Sequence, residues 1–522
     1  MNNRPSNTYR QENQPLTKSD HRSQHVTPGR KDLYLTATRR VIDAHFLHCR
    51  TAEGGHYLVH KESLFAFPLH IEDVVGIIKK MAADMSGIDL PRGTISSVID
   101  ILRVEQPANC TIGYGRSIRV PGGTLYLQCV EGVIQFPPKQ RFYAWVNNFP
   151  DIAFLQTRRA EPLDITPIHN VEKADVMRLF EFSNLPKEQA LLIITWLISV
   201  WMPGIQKTLL ELVGGRRSGK SWAQDLIKQL VDPSSENLTY DIPTTVSDTQ
   251  HLARLNQVIS LDQVESLNDK VQKYLPRLLQ GTTIKCLKQR ARDDVHLRVS
   301  CPVILNGLTS VVTLTELAES TLTVELPEIL QPTLIQMPPM ELNVIRTALL
   351  SILGDVHAEL DTLSVSIENR IPSAIHHFCR IGCLVARSLG YEVEVFLDQL
   401  NANRQYRHDM ELARDPTALS IHKYVMDSEG DSIEIPVGQL LSELKVYKPD
   451  WVSENDLPQN PQSMGAALLS LKPLMQTHGI QIDKNPKIGG IHKVKLTKIP
   501  QQLKAFKEPE SFSRFTSDIS AV

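Results

Sequence analysis

Several things are missing from this chain, and each absence narrows what it can be. Its seven cysteines are scattered through 522 residues, with no C-x-x-C pair and no Cys/His cluster at zinc spacing. A disulfide framework or structural zinc is therefore not expected, and a reducing, cytoplasmic setting is. Charge of one sign is also lacking. The formal net charge is −2, so the molecule as a whole is no polybasic glue for nucleic acid, and any such surface must be local. The most apolar stretch, "ALLIITWLISVWM", falls short of the ~20 residues that a membrane span requires. It reads as a buried helix, and no membrane partner is expected. The first thirty residues are polar and lack the apolar segment of a secretory signal. No internal repeat is visible.

What is present is an ordinary globular composition, 42% hydrophobic and 22% charged, with length enough for several domains. Residues 1–31 read as a disordered polar tail. Residues 32–163 read as an N-terminal α+β region. Within it, "IEDVVGIIKKMAADM" has helical spacing, and "TIGYGRSIRV", "GTLYLQCV" and "GVIQF" alternate like antiparallel strands. Residues 164–340 hold apolar strands between helices, and 341–425 are helical throughout, with start and stop signals at Pro372-Ser373 and Gly390. The stripe Val344, Ile345, Ala348, Leu349, Ile352, Leu353 and Val356 reads as core. Residues 431–500 give two short helices and a hairpin, the outline of a winged helix, and 501–522 read as a tail.

The chemistry concentrates in "TLLELVGGRRSGKSWAQDLIKQLVDP". Gly214 to Ser221 fits G-x-x-x-x-G-K-[ST], and the apolar run before it and helical pattern after it are the setting that motif needs. Gly214 and Gly219 let the backbone curl, so that N–H groups from Gly214, Gly215, Arg216, Arg217, Ser218 and Gly219 can line one concavity at a helix N-terminus. Lys220 would reach the β- and γ-phosphates of ATP, and Ser221 would offer a hydroxyl to Mg²⁺. Arg216 and Arg217 either sit over the phosphates or face water.

Two further strands end in polar residues. Asp262 closes "VISLD" and is the expected second Mg²⁺ ligand, the alternative being a capping or turn Asp. Asn306 closes "PVILN" and would face the γ-phosphate or attacking water, the alternative being a turn residue before Gly307. Gln263 follows Asp262 where many ATPases carry Glu. Gln263 itself or Glu265 would have to orient the water.

Two basic groups are candidates for DNA contact. "TIKCLKQRARDDVHLRV" reads as a hairpin whose tip carries Lys288, Arg290 and Arg292. Such a tip can touch phosphates, face solvent, or lend an arginine to a neighbouring subunit. In the C-terminal hairpin, Lys487, Lys493 and Lys495 accompany an apolar face made by Val494 and Leu496. That pattern suits a wing set against a DNA backbone, or a protein-binding winged helix.

The order "VGGRRSGKSWAQDLIKQLVDP", "VISLDQVESL", "PVILNG", "LAESTLTVELPEI" resembles ATPases of phages, plasmids and integrative elements related to superfamily 3 and primase-associated helicases. "TLYLQCVEGVIQF", "FLQTRRAEPLD" and "PQSMGAALLSLKPLMQTHGIQI", with its mid-helix Pro473, extend the resemblance over roughly residues 110–500. It implies an α/β P-loop NTPase core of AAA+ type with a C-terminal winged helix. It also implies a homo-oligomer, hexameric in that family, that acts on DNA during replication of a mobile element. Lys220 then belongs to the Walker A motif, Asp262 is the Walker B acid, Asn306 takes the sensor 1 position, and residues 284–299 fall where a DNA-contacting hairpin is placed.

The departures point to the hydrolysis step. The family often carries "DLADR" after sensor 1, whose arginine can act in a neighbour's site; here the stretch reads Glu316-Leu317-Ala318-Glu319-Ser320. With Gln263 in place of Glu and Ser320 in place of Arg, nucleotide binding is a firmer expectation than fast turnover. The alternatives to a helicase-like ATPase are a nucleotide-gated DNA-binding or assembly protein and a signalling ATPase.

Overall fold

A computed structural model describes residues 29–51, 55–69, 72–130, 132–146, 151–155, 161, 163–165, 170–234, 238–286, 295–329, 337–361, 373–484 and 492–500. Lys288, Arg290, Arg292 and Lys487, the 501–522 tail and most of the 1–31 tail lie outside them. The chain divides into two compact units, one made of Met1–Leu47 with Leu69–Gln106 and the other of His48–Pro68 with Pro107–Val522.

The first unit is helical. Its helices are α1 (Arg30–His45), α2 (Glu72–Ser86) and α3 (Arg92–Leu102), which pack on one another. Val41 and Ile42, Val74 and Ile78, and Ile95, Val98 and Leu102 are buried. They follow the three-to-four-residue spacing that puts apolar side chains on one helical face. α1 begins at Arg30, so the last two residues of the expected tail are helical.

The second unit opens with strands that the sequence pattern did not reveal. They are β1 (Phe46–Arg50), β2 (His56–His60) and β3 (Phe65–Pro68), β1 starting at the end of the first unit. Next come β4 (Ala108–Asn109), β5 (Thr111–Tyr114), β6 (Ser117–Arg119), β7 (Leu125–Cys129), β8 (Gly132–Phe136), β9 (Ala144–Trp145) and β10 (Ile152–Leu155). β6 to β9 form an antiparallel meander, as expected. β5 and β10 do not continue it. They pair in parallel with each other, and β10 pairs in parallel with β3, inside a six-stranded sheet ordered β4-β1-β2-β3-β10-β5. Alternation gives the pleat but not the direction of the partner, and the partner of β10 is nearly ninety residues away.

Then follow α4 (Leu179–Phe182), α5 (Ala190–Val200), β11 (Leu209–Val213), α6 (Lys220–Val231), α7 (Val246–Leu255), β12 (Ile259–Leu261), α8 (Asp269–Gln280), β13 (Thr282–Cys286), β14 (Val295–Val299), β15 (Val303–Gly307), α9 (Thr315–Ala318) and β16 (Thr321–Glu325). β12, β15, β11 and β16 make a wholly parallel sheet in that order. Every residue of β11 and β15 is buried. That burial is why they read as continuous apolar runs, as strands covered on both faces do. β13 and β14 are the arms of the expected antiparallel hairpin. α5 is buried along its whole length, with the Trp196 indole N–H donating to Thr208 O at 3.0 Å and that of Trp201 to Val231 O at 3.1 Å.

Other segments bond to both outer edges of this sheet, which would otherwise offer unpaired backbone groups. Tyr240 exchanges backbone bonds with Ser260 and Asp262 beside β12. The Asn403 carboxamide bonds to both the N–H and the C=O of Thr323 in β16.

Four helices come next, α10 (Pro339–Glu359), α11 (His376–Ser388), α12 (Val393–Arg414) and α13 (Pro416–Asp427). A single buried cluster runs from Leu125 and Phe136 through α5, β11 and α6 to α10, α11 and Leu400. The chain ends with β17 (Ser432–Pro436), α14 (Val437–Tyr447), α15 (Pro461–Thr477), β18 (Ile480–Lys484) and β19 (Lys493–Lys498), which share a separate core with α13. Its sheet has three strands, β17-β19-β18, where the sequence pattern predicts two. Among the described residues no helix is long and apolar enough to cross a membrane.

Candidate functional site

β11 delivers its last residue, Val213, into the turn Gly214–Gly219, and α6 begins at Lys220. Gly214 has φ 150°, and a Cβ there would stand 2.6 Å from the Leu326 carbonyl. Gly219 has φ 78° and caps α6 with no side-chain bond. The first-turn N–H groups of a helix have no intrahelical partners, so this end suits an anion. Arg217, at the exposed tip, has φ 64°. From behind, Asn184 donates to Ser218 O at 3.0 Å, and the Trp222 indole N–H donates to Phe182 O at 2.8 Å.

Lys220 folds its ammonium back into the turn, donating to Gly214 O at 2.9 Å, Gly215 O at 2.7 Å and Ser218 Oγ at 3.1 Å. Burial pushes its pKa down, against the opposing pull of Asp262. A half-buried cation satisfied only by weak neutral acceptors is ready to exchange them for anionic oxygens.

The parallel register sets the other members around it. Leu212 pairs with Asn306 and Leu261 with Leu305, so β15 lies between β11 and β12 and the carboxyl ends of all three come together. In open parallel sheets that is where ligands bind. Ser221 Oγ donates to Asp262 Oδ1 at 2.9 Å. Asn306 is buried, donates from Nδ2 to Asp262 Oδ1, and accepts the Gln263 N–H on Oδ1 at 3.1 Å. Hard oxygens from one alcohol and one carboxylate fit Mg²⁺, which is usually held by one or two protein groups together with phosphates and waters. Ser221 and Asp262 are the residues that would hold it.

Gln263 is exposed, with φ 51°, and its backbone N–H bonds to Asn306 at the site. Glu265 is exposed too. Of five non-glycine residues with positive φ among the described ones, Arg217 and Gln263 are both at this site. Such backbone strain costs roughly 1–3 kcal/mol and gathers where function holds it in place. Ser320 is only 1% exposed, and its carbonyl accepts the Leu209 N–H.

One site residue escaped sequence reasoning. Gln224, four residues after Lys220 on α6, is fully buried, accepts from Asn306 at 2.6 Å, and donates to Ser260 Oγ and Leu261 O. The i to i+4 spacing from Lys220 was the available signal, since it puts both on one helical face.

Lys493 and Lys495 of β19 are exposed, while Val494 and Leu496 between and after them are buried. The polar face is not purely basic, however. Glu434 and Asp483 stand opposite Lys495 on the two flanking strands, and Lys493 Nζ is 3.4 Å from Glu434. The expectation of a basic face is corrected, because β17 supplies an acid from sixty residues upstream.

No family model matches the chain, and no curated protein matches it. Solved structures of the C-terminal region of a protein named NrS-1 are similar at a low level. One has 12% identity and a TM-score of 0.38, with 89% of this chain and 99% of that chain covered. Another has 10% identity and a TM-score of 0.36 at the same coverage.

Proposed function

We propose that this chain is an ATP-binding, Mg²⁺-dependent, DNA-acting protein of helicase type, with an AAA+-like P-loop core, a C-terminal winged helix, and a role in replicating a mobile element. One observation carries the reading. Ser221, Asp262 and Asn306 come from three separate segments and are joined by hydrogen bonds at the carboxyl ends of neighbouring parallel strands, beside the glycine-rich turn into which Lys220 donates. The turn Gly214–Gly219 holds the triphosphate, Lys220 meets its terminal phosphates, and Ser221 with Asp262 holds the Mg²⁺ that neutralises charge developing in phosphoryl transfer. The DNA assignment, the oligomer and the mobile-element role rest on the sequence resemblance, with Lys493 and Lys495 as the described DNA-contact candidates.

A second reading is nucleotide-gated DNA binding or assembly with little turnover. Two observations favour it: the outward, backbone-tethered Gln263 and the buried Ser320. An arginine that stabilises the transition state from a neighbour is worth ~10³-fold or more, and Ser320 cannot supply one.

ATPase assays with and without single- and double-stranded DNA, on wild type and Lys220→Ala, separate the readings. DNA-stimulated turnover lost in the variant supports the first. Tight ATP binding without turnover supports the second. Absence of ATP binding by the wild type overturns both.

A further inference from the structure

We infer that Gln224 is a positioning residue of the candidate nucleotide site. It fixes the direction of the Asn306 carboxamide and, through it, the Asp262 carboxylate. The inference rests on the nucleotide reading for its catalytic consequence and on geometry alone for its structural one.

One group in this network cannot change role. A backbone carbonyl only accepts. The Leu261 carbonyl accepts from Gln224 Nε2 at 3.0 Å, and the same nitrogen donates to Ser260 Oγ at 2.7 Å. That settles which end of the Gln224 amide faces β12, and leaves Oε1 towards β15. There it accepts from Asn306 Nδ2 at 2.6 Å. Asn306 must therefore present its NH₂ to both Gln224 and Asp262 Oδ1, and its carbonyl oxygen to the Gln263 N–H. Flipping either amide would set oxygen against oxygen in a buried place, where an unmatched polar group costs about 1–3 kcal/mol. The polarity of the network thus runs from the backbone of β12, through α6, to the end of β15, and back to the residue after β12.

The consequence is specific. Asp262 Oδ1 receives the Asn306 N–H and the Ser221 hydroxyl together, so its direction is set before any ligand arrives. Gln263, whose backbone is left-handed, donates its N–H to the same Asn306 oxygen. Gln224 makes none of the Lys220 bonds to the turn. Its loss should therefore spare metal-free nucleotide binding and damage the metal-dependent step. Partners that orient metal ligands typically matter 10–100-fold.

The test compares Gln224→Leu and Gln224→Glu with wild type, and adds Asn306→Ala and the Gln224→Leu/Asn306→Ala double variant. Gln224→Glu keeps the acceptor for Asn306 and loses the donor to Leu261. With ATP and Mg²⁺, kcat should fall about 10–100-fold in Gln224→Leu, with KM and ATP affinity in EDTA within about threefold. The double variant should be no worse than Asn306→Ala alone, because the two act as one unit. A kcat within threefold of wild type, or multiplicative losses in the double variant, overturns the inference. A readout independent of nucleotide is the Asn306 side-chain NH₂ signal in protein labelled at asparagine. Its solvent exchange should rise at least tenfold in Gln224→Leu while the thermal midpoint shows the chain still folded. An unchanged signal overturns the inference even if ATP is never bound. A wild type that binds no ATP, with the amide released as expected, overturns the nucleotide reading and leaves the positioning role standing.

Discussion

Ser221 and Asp262 are forty-one residues apart in sequence, yet the Ser221 hydroxyl donates to Asp262 Oδ1 at 2.9 Å. One sits on the first turn of α6 and the other just past the end of β12. A side-chain bond across that gap leaves two hard oxygens at the spot where a strand end meets a helix N-terminus. Ser221→Ala and Asp262→Asn should each lower Mg²⁺-dependent turnover, by about 10–100-fold or more for the acid. Nucleotide affinity in EDTA should move little. Titrating Mg²⁺ at fixed ATP, and measuring rate and calorimetric binding together, checks both halves.

Lys220→Ala should weaken ATP itself. A charge-assisted bond contributes about 1.5–3 kcal/mol, so a loss of roughly tenfold or more is expected with and without Mg²⁺. Equal affinity of variant and wild type by equilibrium binding would remove Lys220 from the site.

Gly214→Ala tests the turn rather than the charge. At φ 150° the backbone disfavours any Cβ, and the Leu326 carbonyl lies 2.6 Å from where it would be. The variant should bind ATP poorly and unfold at lower temperature. Unchanged binding by fluorescence titration would mean that the turn does not hold the phosphates.

Ser320→Arg asks whether the missing arginine can be put back. Ser320 is 1% exposed, so a long cation there has no route to a neighbour's nucleotide. Overpacking of this kind costs about 1–3 kcal/mol. A lower thermal midpoint without faster hydrolysis is expected. A rise in kcat would contradict the buried placement.

Lys493→Gln and Lys495→Gln should reduce DNA affinity, each removing up to about one unit from the log–log salt slope if it meets a phosphate. Lys493 already leans on Glu434, so Glu434→Gln should strengthen binding. Anisotropy titrations from low to moderate salt give the slopes, and slopes unchanged in all three variants would remove this strand from the DNA surface.

Asp232 should carry much of the acid sensitivity of the core. It is buried and accepts from Arg116 at 3.0 Å, from Lys228, and from the backbone N–H groups of Gln257 and Val258. Burial pushes its pKa up, but Lys228 and Arg116 outweigh that and hold it below the ordinary value. A depressed folded pKa contributes stability above the unfolded value of about 3.9, lost as pH falls through the folded one. Asp232→Asn should therefore lower stability by about 3–5 kcal/mol near neutrality, and the gap to wild type should close towards pH 3. Denaturant midpoints at pH 7 and pH 3 measure it.

How much of this was legible depended on how local the signal was. Gly214 to Ser221 announces itself because the turn, the lysine and the helix start are contiguous. Asp262 and Asn306 were legible as the polar ends of apolar runs. Gln224 was not, since a glutamine in a helix reads as surface until a neighbouring strand end is seen to bury it. The parallel pairing of β10 with β3, and the approach of Glu434 to Lys495, were hidden for the same reason: both depend on residues far away in sequence.

By itself, then, the sequence determined where the backbone turns, which runs are buried strands, and which side chains are of a kind suited to phosphate and metal. Those follow from glycine freedom, apolar periodicity and residue type, all of which act over a few residues. Only the tertiary structure decided that β15 lies between β11 and β12, that one carbonyl of β12 sets the polarity of the Gln224–Asn306–Asp262 chain, and that Ser320 is enclosed. Strand order and burial come from packing among distant segments, which no short stretch specifies alone.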